Sequence, residues 1–296
     1  MALYSSYDVV GAAEDISDII SNISPTKTPF LQSIGTDSVH NKLFQWEEDS
    51  LRAVQVNAQI EGFTASDATL AATVLRNNVT QILEKTIKVS MTTDAEKLYG
   101  RAKETAYQIA KGAEEVKRDL ENACVGVLQA IVNSGIGTAR QFASAPFQVA
   151  GGTTTAGGTA ALTEAMVLAN HQLCYNAGAD PSVMMIKPAD SVIVANFAAA
   201  TGRVRDPGNT DSPTKIVNAV KVYVSPFGEL KVVLNRFQKT TNVMTYDPDM
   251  WKLCILRNWS RTMLAKTGDN EMHNIVGEFS LKHLNQSASG LINALT

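Results

Sequence analysis

The chain has 296 residues, is 45% hydrophobic and 19% charged, and carries a net charge of -3. That is an ordinary globular balance with room for one large or two modest domains. It excludes a protein built to neutralise phosphates: there is no basic field, no run rich in lysine and arginine, and no basic–aromatic interleaving for stacking single strands.

The three cysteines, Cys124, Cys174 and Cys254, stand far apart in apolar settings. They read as reduced, buried thiols in a reducing compartment. The first twenty residues lack a charged region ahead of an apolar core, so neither a signal peptide nor a membrane span is expected.

Residues 1–40 read as an arm. Asp8 to Ser21 has the pattern of a short helix with Val9, Val10, Ala13, Ile16 and Ile20 on its apolar side. Pro25 and Pro29 then favour an extended path. Phe30, Leu31 and Ile34 form an apolar knot that must be buried, either by lacing onto a neighbouring subunit or within the same domain.

Residues 41–93 have hairpin character. KLFQWEED alternates, placing Phe44 and Trp46 on one side, and VTQILEKTIKVS (Val79 to Ser90) is rich in β formers. The stretch between them, with Arg52, Glu61 and Phe63, is polar and thinly apolar, too poor in core to fold as a unit. Either the hairpin leaves the body to lie on a neighbour, or this is a surface loop.

Asp94 to Asn133 is the longest helical pattern. Leu98, Ala102, Ala106, Ile109, Ala113, Val116, Leu120, Cys124, Val127 and Ile131 recur at steps of three and four, near the 3.6 period of one face. Thr92, Thr93 and Asp94 can cap its start. At 1.5 Å per residue this predicts a rod roughly 60 Å long. Its charges exclude a membrane span, and its many alanines suit a spine on which other elements lean. Gly100 and Gly112 mark either close approach of another backbone or a bend.

Residues 134–160, rich in Gly, Ala and Thr, predict a connection or flap. An amphipathic helix follows over Leu162 to Asn176, ended by Gly178, then a buried strand at Ser182 to Ile186 and a helix from about Pro188. The loop TGRVRDPGNTDSPT carries Arg203 and Arg205, which either stay solvated or grip an acidic neighbour. IVNAVKVYVSP and GELKVVLNR form a hairpin, and VMTYDPD ends a third strand. This mixture predicts an α+β or α/β unit from about 160 to 242. Residues 243–284 predict three strands in a meander, MWKLCILRNW, RTMLAKTG and EMHNIVGEFSLKHL, with a tight turn at Gly268 to Asn270. The tail from Asn285 is short.

Motifs with a mechanism are scarce. Gly152 to Gly158 lacks the lysine of a phosphate loop, and HExxH, CxxC and GxSxG are absent. His40, His171, His273 and His283 have no carboxylate or cysteine at ligand spacing. Glu47 to Asp49 reads as a strand end and Asp247 with Asp249 as a turn. No catalytic residue, cofactor or metal site is expected. An arm, a hairpin that needs a neighbour and a long spine together describe an assembly subunit.

Over nearly its full length the chain resembles tailed-bacteriophage major capsid proteins of the Hong Kong 97 type. The phrases that carry the likeness are SPTKTPF, FQWEEDSLR, EGFTASD, NVTQILEKTIKVS, RDLENA, SPFGELKVVLNR and YDPDMWKLCILRNW before LAKTGD, in that order. The resemblance implies an α+β fold with an N-terminal arm (1–40), an extended loop (41–93), a peripheral domain of spine helix and β-sheet (94–133 with 243–296) and a mixed axial domain (134–242). It implies pentamers and hexamers closing an icosahedral head around double-stranded DNA. Partners would be further copies of the chain, a portal and a possible decoration protein, with assembly in the bacterial cytoplasm. Because Met1 leads straight into the arm, a separate scaffolding protein is expected. Inter-subunit contact candidates are Phe30, Phe44, Trp46, Arg52, Glu61, Phe63, Arg203 and Arg205. Two other readings stand beside it: an encapsulin-like compartment, and a cytosolic ligand-binding protein or enzyme with its site in 160–242.

Overall fold

The computed structural model describes residues 24–65, 67, 70–133, 135–200 and 222–296. The Asp8–Ser21 helix, Arg203 and Arg205 therefore lie outside the described residues. Helix α1 (Pro29–Ser33) leads through β1 (Gly35–Ser38) into β2 (Leu43–Glu48), β3 (Val74–Val79) and β4 (Gln81–Ser90). Short α2 (Met91–Ala95) precedes long α3 (Glu104–Glu121), which runs on into a π-helical turn over Asn122–Gly126. Next come α4 (Ala145–Gln148), β5 (Thr154–Ala156), α5 (Glu164–Asn176), β6 (Val183–Ile186) and α6 (Asp190–Ala200). The chain closes with β7 (Val222–Ser225), β8 (Gly228–Leu234), β9 (Val243–Tyr246), β10 (Trp251–Met263), β11 (Asn270–His283) and β12 (Gly290–Asn293).

Three sheets result: a four-stranded one in the order β1-β10-β11-β4, a six-stranded one in the order β5-β12-β9-β6-β8-β7, and the two-stranded β2-β3. Helix α3 lies on the first sheet. Its stripe of Ile109, Ala113 and Val116 packs on Ile87, Val89 and Ile275. Gly112 lets the sheet approach, since a Cβ there would lie 2.8 Å from Ile87 Cδ1. Helices α5 and α6 cover the second sheet through Val167 and Val194 on Met184, Ile186, Leu230 and Ile292. All four residues of β6 are buried, as expected for an interior strand covered on both faces. A central core of Leu120, Cys124, Phe142, Met185, Met244, Tyr246, Trp251, Phe279 and Leu281 joins the two large sheets.

Several elements match their prediction closely. Thr163 caps α5 by accepting from Met166 N, and Gly178 at φ 88° ends the turn that follows it. Others require correction. The single helix from Asp94 to Asn133 is divided: Gly100 adopts φ 73° and Lys103 is extended, so α3 starts at Glu104. Asp94 still caps it, from eleven residues upstream, by accepting from Thr105 N at 3.0 Å. That bond is the main reason its carboxyl is held below the usual range. The helix ends at Gly126, where the Phe237 carbonyl would sit 2.6 Å from any Cβ, and Val127 is extended. The spine through the π turn is therefore roughly 35 Å long.

The hairpin partner of β2 is β3, from a stretch expected to be irregular, whereas β4 joins the four-stranded sheet. The expected flap at 134–160 contributes Phe142, Ala143 and Ala145 to the core, all nearly inaccessible. The meander is a two-stranded hairpin: β10 runs unbroken through RTM, with register shifts at Arg257, and pairs with β11 from Trp251↔His283 to Met263↔His273. The tail adds β12, which pairs with β9 and β5 in the six-stranded sheet.

Gly277 lets Trp259 and Phe279 meet across the hairpin, with ring centroids 4.6 Å apart. A Cβ at this position would lie 2.7 Å from Trp259 Cε3 and collide with the Phe279 ring. Gly277→Val is expected to cost about 1–3 kcal/mol through overpacking. Gly152→Ala, in open space, should stay within about 0.5 kcal/mol. Urea unfolding of the unassembled chain checks both; equal midpoints would contradict the packing described.

Candidate assembly interface

The arm is tied down by Glu121, which is fully buried. Its carboxylate accepts from Phe30 N at 2.9 Å, Leu31 N at 3.0 Å and Asn235 Nδ2 at 2.7 Å. Helix α1 has no side-chain cap of its own, so Glu121 satisfies two of its orphan amides from the far end of α3. Burial pushes the Glu121 carboxyl up, and the three donors pull it back. Phe30 is thereby placed edge-on to Tyr246 and Trp251, with centroids at 5.5 and 5.8 Å. Its ring packs inside its own chain, the within-domain one of the two placements open to the knot.

The hairpin root is equally fixed. Phe44 and Trp46 share one side of β2 and stack at 5.7 Å, both half-buried. Glu48 accepts from Arg76 Nε at 2.9 Å and from Gln286 N at 3.0 Å, holding the root against the turn before β12. Buried Asn78, at the β3–β4 junction, donates to Leu281 O at 2.6 Å and accepts from Ala143 N at 2.9 Å. Just below, buried Glu278 takes Thr80 Oγ1 at 2.6 Å, Arg140 Nη2 at 2.6 Å and Arg257 Nε at 3.0 Å.

Beyond this root the chain changes character. Between Glu48 and Val74 no described residue joins a helix or strand. Leu51, Val54, Val56, Ile60 and Leu70 are 80 to 101% exposed, and Phe63 56%. A turn closes Phe63 N onto Ile60 O at 3.2 Å, with Gly62 at φ 79°, and puts Glu61 at its tip. Among the described residues Arg52 reaches only the neighbouring Ala53 carbonyl. Of the sequence candidates, then, Arg52, Glu61 and Phe63 lie on this loop, Phe44 and Trp46 at its root and Phe30 in the core. The polar root residues Asn78, Glu278 and Arg140 were not anticipated. Nothing in their local sequence separates them from surface residues.

Among the described residues no arrangement elsewhere offers nucleophilic chemistry. Ser225 Oγ lies 2.8 Å from His171 Nδ1, but it also accepts from Phe227 N and donates to Gly228 O, anchoring the β7–β8 turn. Burial pushes the Cys174 thiol up to about 11 and that of Cys254 to about 12, and raises Cys124 well above its ordinary value. Such thiols are inert rather than activated. Asp247 accepts from Asp249 N at 3.1 Å, a local turn cap. Among the described residues no group of three or more His, Cys, Asp or Glu could hold a metal ion. No described helix is long and apolar enough to cross a membrane.

His283 gives the chain a defined pH response. It stacks on Trp251 at 3.9 Å, meets Ser289 Oγ at 3.0 Å, and burial lowers its pKa to about 3. An unfolded histidine takes its proton near 6.5, so stability should fall as pH drops from about 6.5 toward 3, by at most about 1.4 kcal/mol per unit. Glu121, raised by burial, acts with the opposite sign over part of that range. Urea titrations of the wild type and His283→Gln at pH 7, 5 and 4 isolate the histidine, because the variant should show the flatter profile. Glu121→Ala, which orphans three buried donors, should cost roughly 3 kcal/mol in the same assay.

Compared with known proteins, residues 3–296 match the family described as SU10 major capsid protein. The major capsid protein of Escherichia phage Phieco32 is 33% identical over 341 residues, covering 98% of this chain and 96% of that protein. The cyanophage A-1(L) capsid asymmetric unit is similar in structure with a TM-score of 0.72 at 13% identity, covering 99% of this chain and 98% of that one. The holo-SrpI encapsulin complex of Synechococcus elongatus PCC 7942 gives a TM-score of 0.62 at 10% identity, covering 100% and 96%.

Proposed function

The chain belongs to the SU10 major capsid protein family and has the Hong Kong 97-type fold, so it is a structural subunit of a phage capsid and not an enzyme; from that premise we propose how it builds the shell. Copies assemble into pentamers and hexamers that close an icosahedral head around double-stranded DNA. The loop between Glu48 and Val74 reaches out of each copy and is covered by the next. One observation carries this reading: a loop with five largely exposed aliphatic side chains springs from a root held within the chain by Glu48, Asn78 and Thr80. Each such side chain gains about 1.5–3 kcal/mol when buried. A lone chain leaves that gain unrealised, and a ring of identical copies realises it in every member.

The parts follow from the same reading. Residues 1–40 serve as the arm and 41–93 as the extended loop, except that β1 and β4 at their ends pair into the four-stranded sheet. The four-stranded sheet with α3 forms the peripheral unit, and the six-stranded sheet with α5 and α6 the axial unit. Sheet pairing favours counting β9 and β12 with the axial unit although they lie within 243–296. A separate scaffolding protein guides assembly in the bacterial cytoplasm, a portal occupies one vertex, and a decoration protein is an optional outer partner. DNA contacts are few and blind to sequence, in keeping with a net charge of -3. The encapsulin reading has fold similarity alone behind it, at 10% identity. Family membership sets aside the small-ligand reading of 160–242.

Sedimentation and imaging of the expressed chain, with scaffold supplied, test the proposal. Closed shells or rings of five and six are expected, and nuclease-protected DNA in particles from infected cells separates a head from a compartment. Replacing residues 51–70 with a short glycine–serine linker should leave the unfolding midpoint unchanged and abolish rings. A stable monomer of 31.8 kDa under all these conditions would overturn the reading.

A further inference from the structure

Strand β5 is the outermost strand of the six-stranded sheet. It pairs with β12 alone, from Leu291↔Thr154 to Asn293↔Ala156, and among the described residues its other edge meets no strand. Beside it runs an open groove of about 510 Å³ lined by Leu128, Pro146, Thr154, Ala156, Lys239 and Leu291. Leu128 is 55% exposed, and Phe147, next to Pro146, is 50% exposed. Lys239 is the sole charged residue of the lining. An unpaired sheet edge, apolar footholds at Leu128 and Pro146 beside the neutral polar Thr241, Asn242 and Asn293, and a single cation make a receptor for an extended segment with apolar side chains and one acidic group.

The chain carries such a segment. The Ile60–Phe63 turn presents two apolar side chains flanking Glu61, and Ile60 is 80% exposed, without cover from its own chain. With about a dozen residues on either side of the turn, the loop can reach up to roughly 40 Å from its root. We propose that the groove beside β5 receives the Ile60–Phe63 turn of a second copy, with Glu61 paired to Lys239 and the residues flanking the turn added along the β5 edge. The contact joins two different surfaces of the same chain, so it is head-to-tail and propagates until a ring closes. This inference rests on the shell-subunit reading and names the surface that the loop covers.

The test uses assembled particles. The native cysteines are all buried, so Ile60→Cys with Ala156→Cys introduces the accessible pair. Mild oxidation followed by a non-reducing gel should show a ladder ending at five or six linked chains. Charge reversal gives an independent readout: Glu61→Lys and Lys239→Glu should each lower particle yield several-fold, and the double variant should recover it. If the cysteine pair prevents assembly, this swap decides the matter. Particles that form without the ladder would overturn the contact, as would a ladder from Ile60→Cys with Ile136→Cys in the cleft beside Lys42. Silent single reversals, or a double variant that does not recover, would do the same. All of these leave the capsid reading standing. Absence of any ring from the unaltered chain, with scaffold supplied, would remove both.

Discussion

A buried carboxylate, paired with no cation among the described residues, joins the parts of this structure. Glu121 ends α3, and its two oxygens are shared among an arm, a spine and the segment following β8. Taking a charge out of water is expensive, and three N–H donors offset that cost only while all three stay in place. Arm, spine and segment are therefore fixed together or released together. The π turn that follows Glu121 reinforces the junction: Gly126 lies under the Phe237 carbonyl, and Lys239 N donates to Val125 O at 3.2 Å. Phe30, seated by the same carboxylate, contributes its ring to the core between the two large sheets.

From that junction the path of the hairpin is determined. The arm leaves α1 as β1, pairs in parallel with β10, and crosses to Lys42, whose carbonyl receives Thr80 N at 2.8 Å. The root therefore starts from a position set by the Glu121 junction and is clamped by Asn78, Glu278 and Glu48. Rigidity below the root and a bare apolar loop above it belong to one design. A loop that must find a site on another copy benefits from a fixed base, because each residue already immobilised is one whose ordering does not oppose the contact.

What the sequence made legible follows a physical division. Elements with strong local signals were readable: α5 with its stop at Gly178, the buried run of β6, and the alternation of β8. The loop was readable in its irregularity: a stretch so poor in core builds no unit of its own, and its described residues form no helix or strand. The start of α3 was misread because Leu98 and Ala102 continue the helical period while Gly100, between them, turns left-handed. Strand β3 carries no local signal because VLRNNV contains two adjacent asparagines, which disfavour strands until Asn78 finds Leu281 O and Ala143 N, 203 and 65 residues away. Glu121 and Glu278 look like surface glutamates on a helix and a strand, and their burial depends on contacts that no local pattern encodes. The groove beside β5 gathers Leu128, Ala156, Lys239 and Leu291 from four distant stretches, so only the folded chain brings it into being.

A shell places a further demand on such contacts. Subunits added in error must be able to leave, so no single contact can be strong, whereas a finished ring must persist. A loop without regular structure meets both needs. Ordering it on a neighbour consumes much of what its apolar side chains gain, which keeps one contact modest. When a ring closes, every copy is held on both sides at once, and release requires breaking two contacts together. Under the proposed contact, the irregularity of the stretch between Glu48 and Val74 is thus a working property of the chain. A tightly packed hairpin in its place would bind more firmly copy to copy and lose the capacity to correct a misplaced subunit.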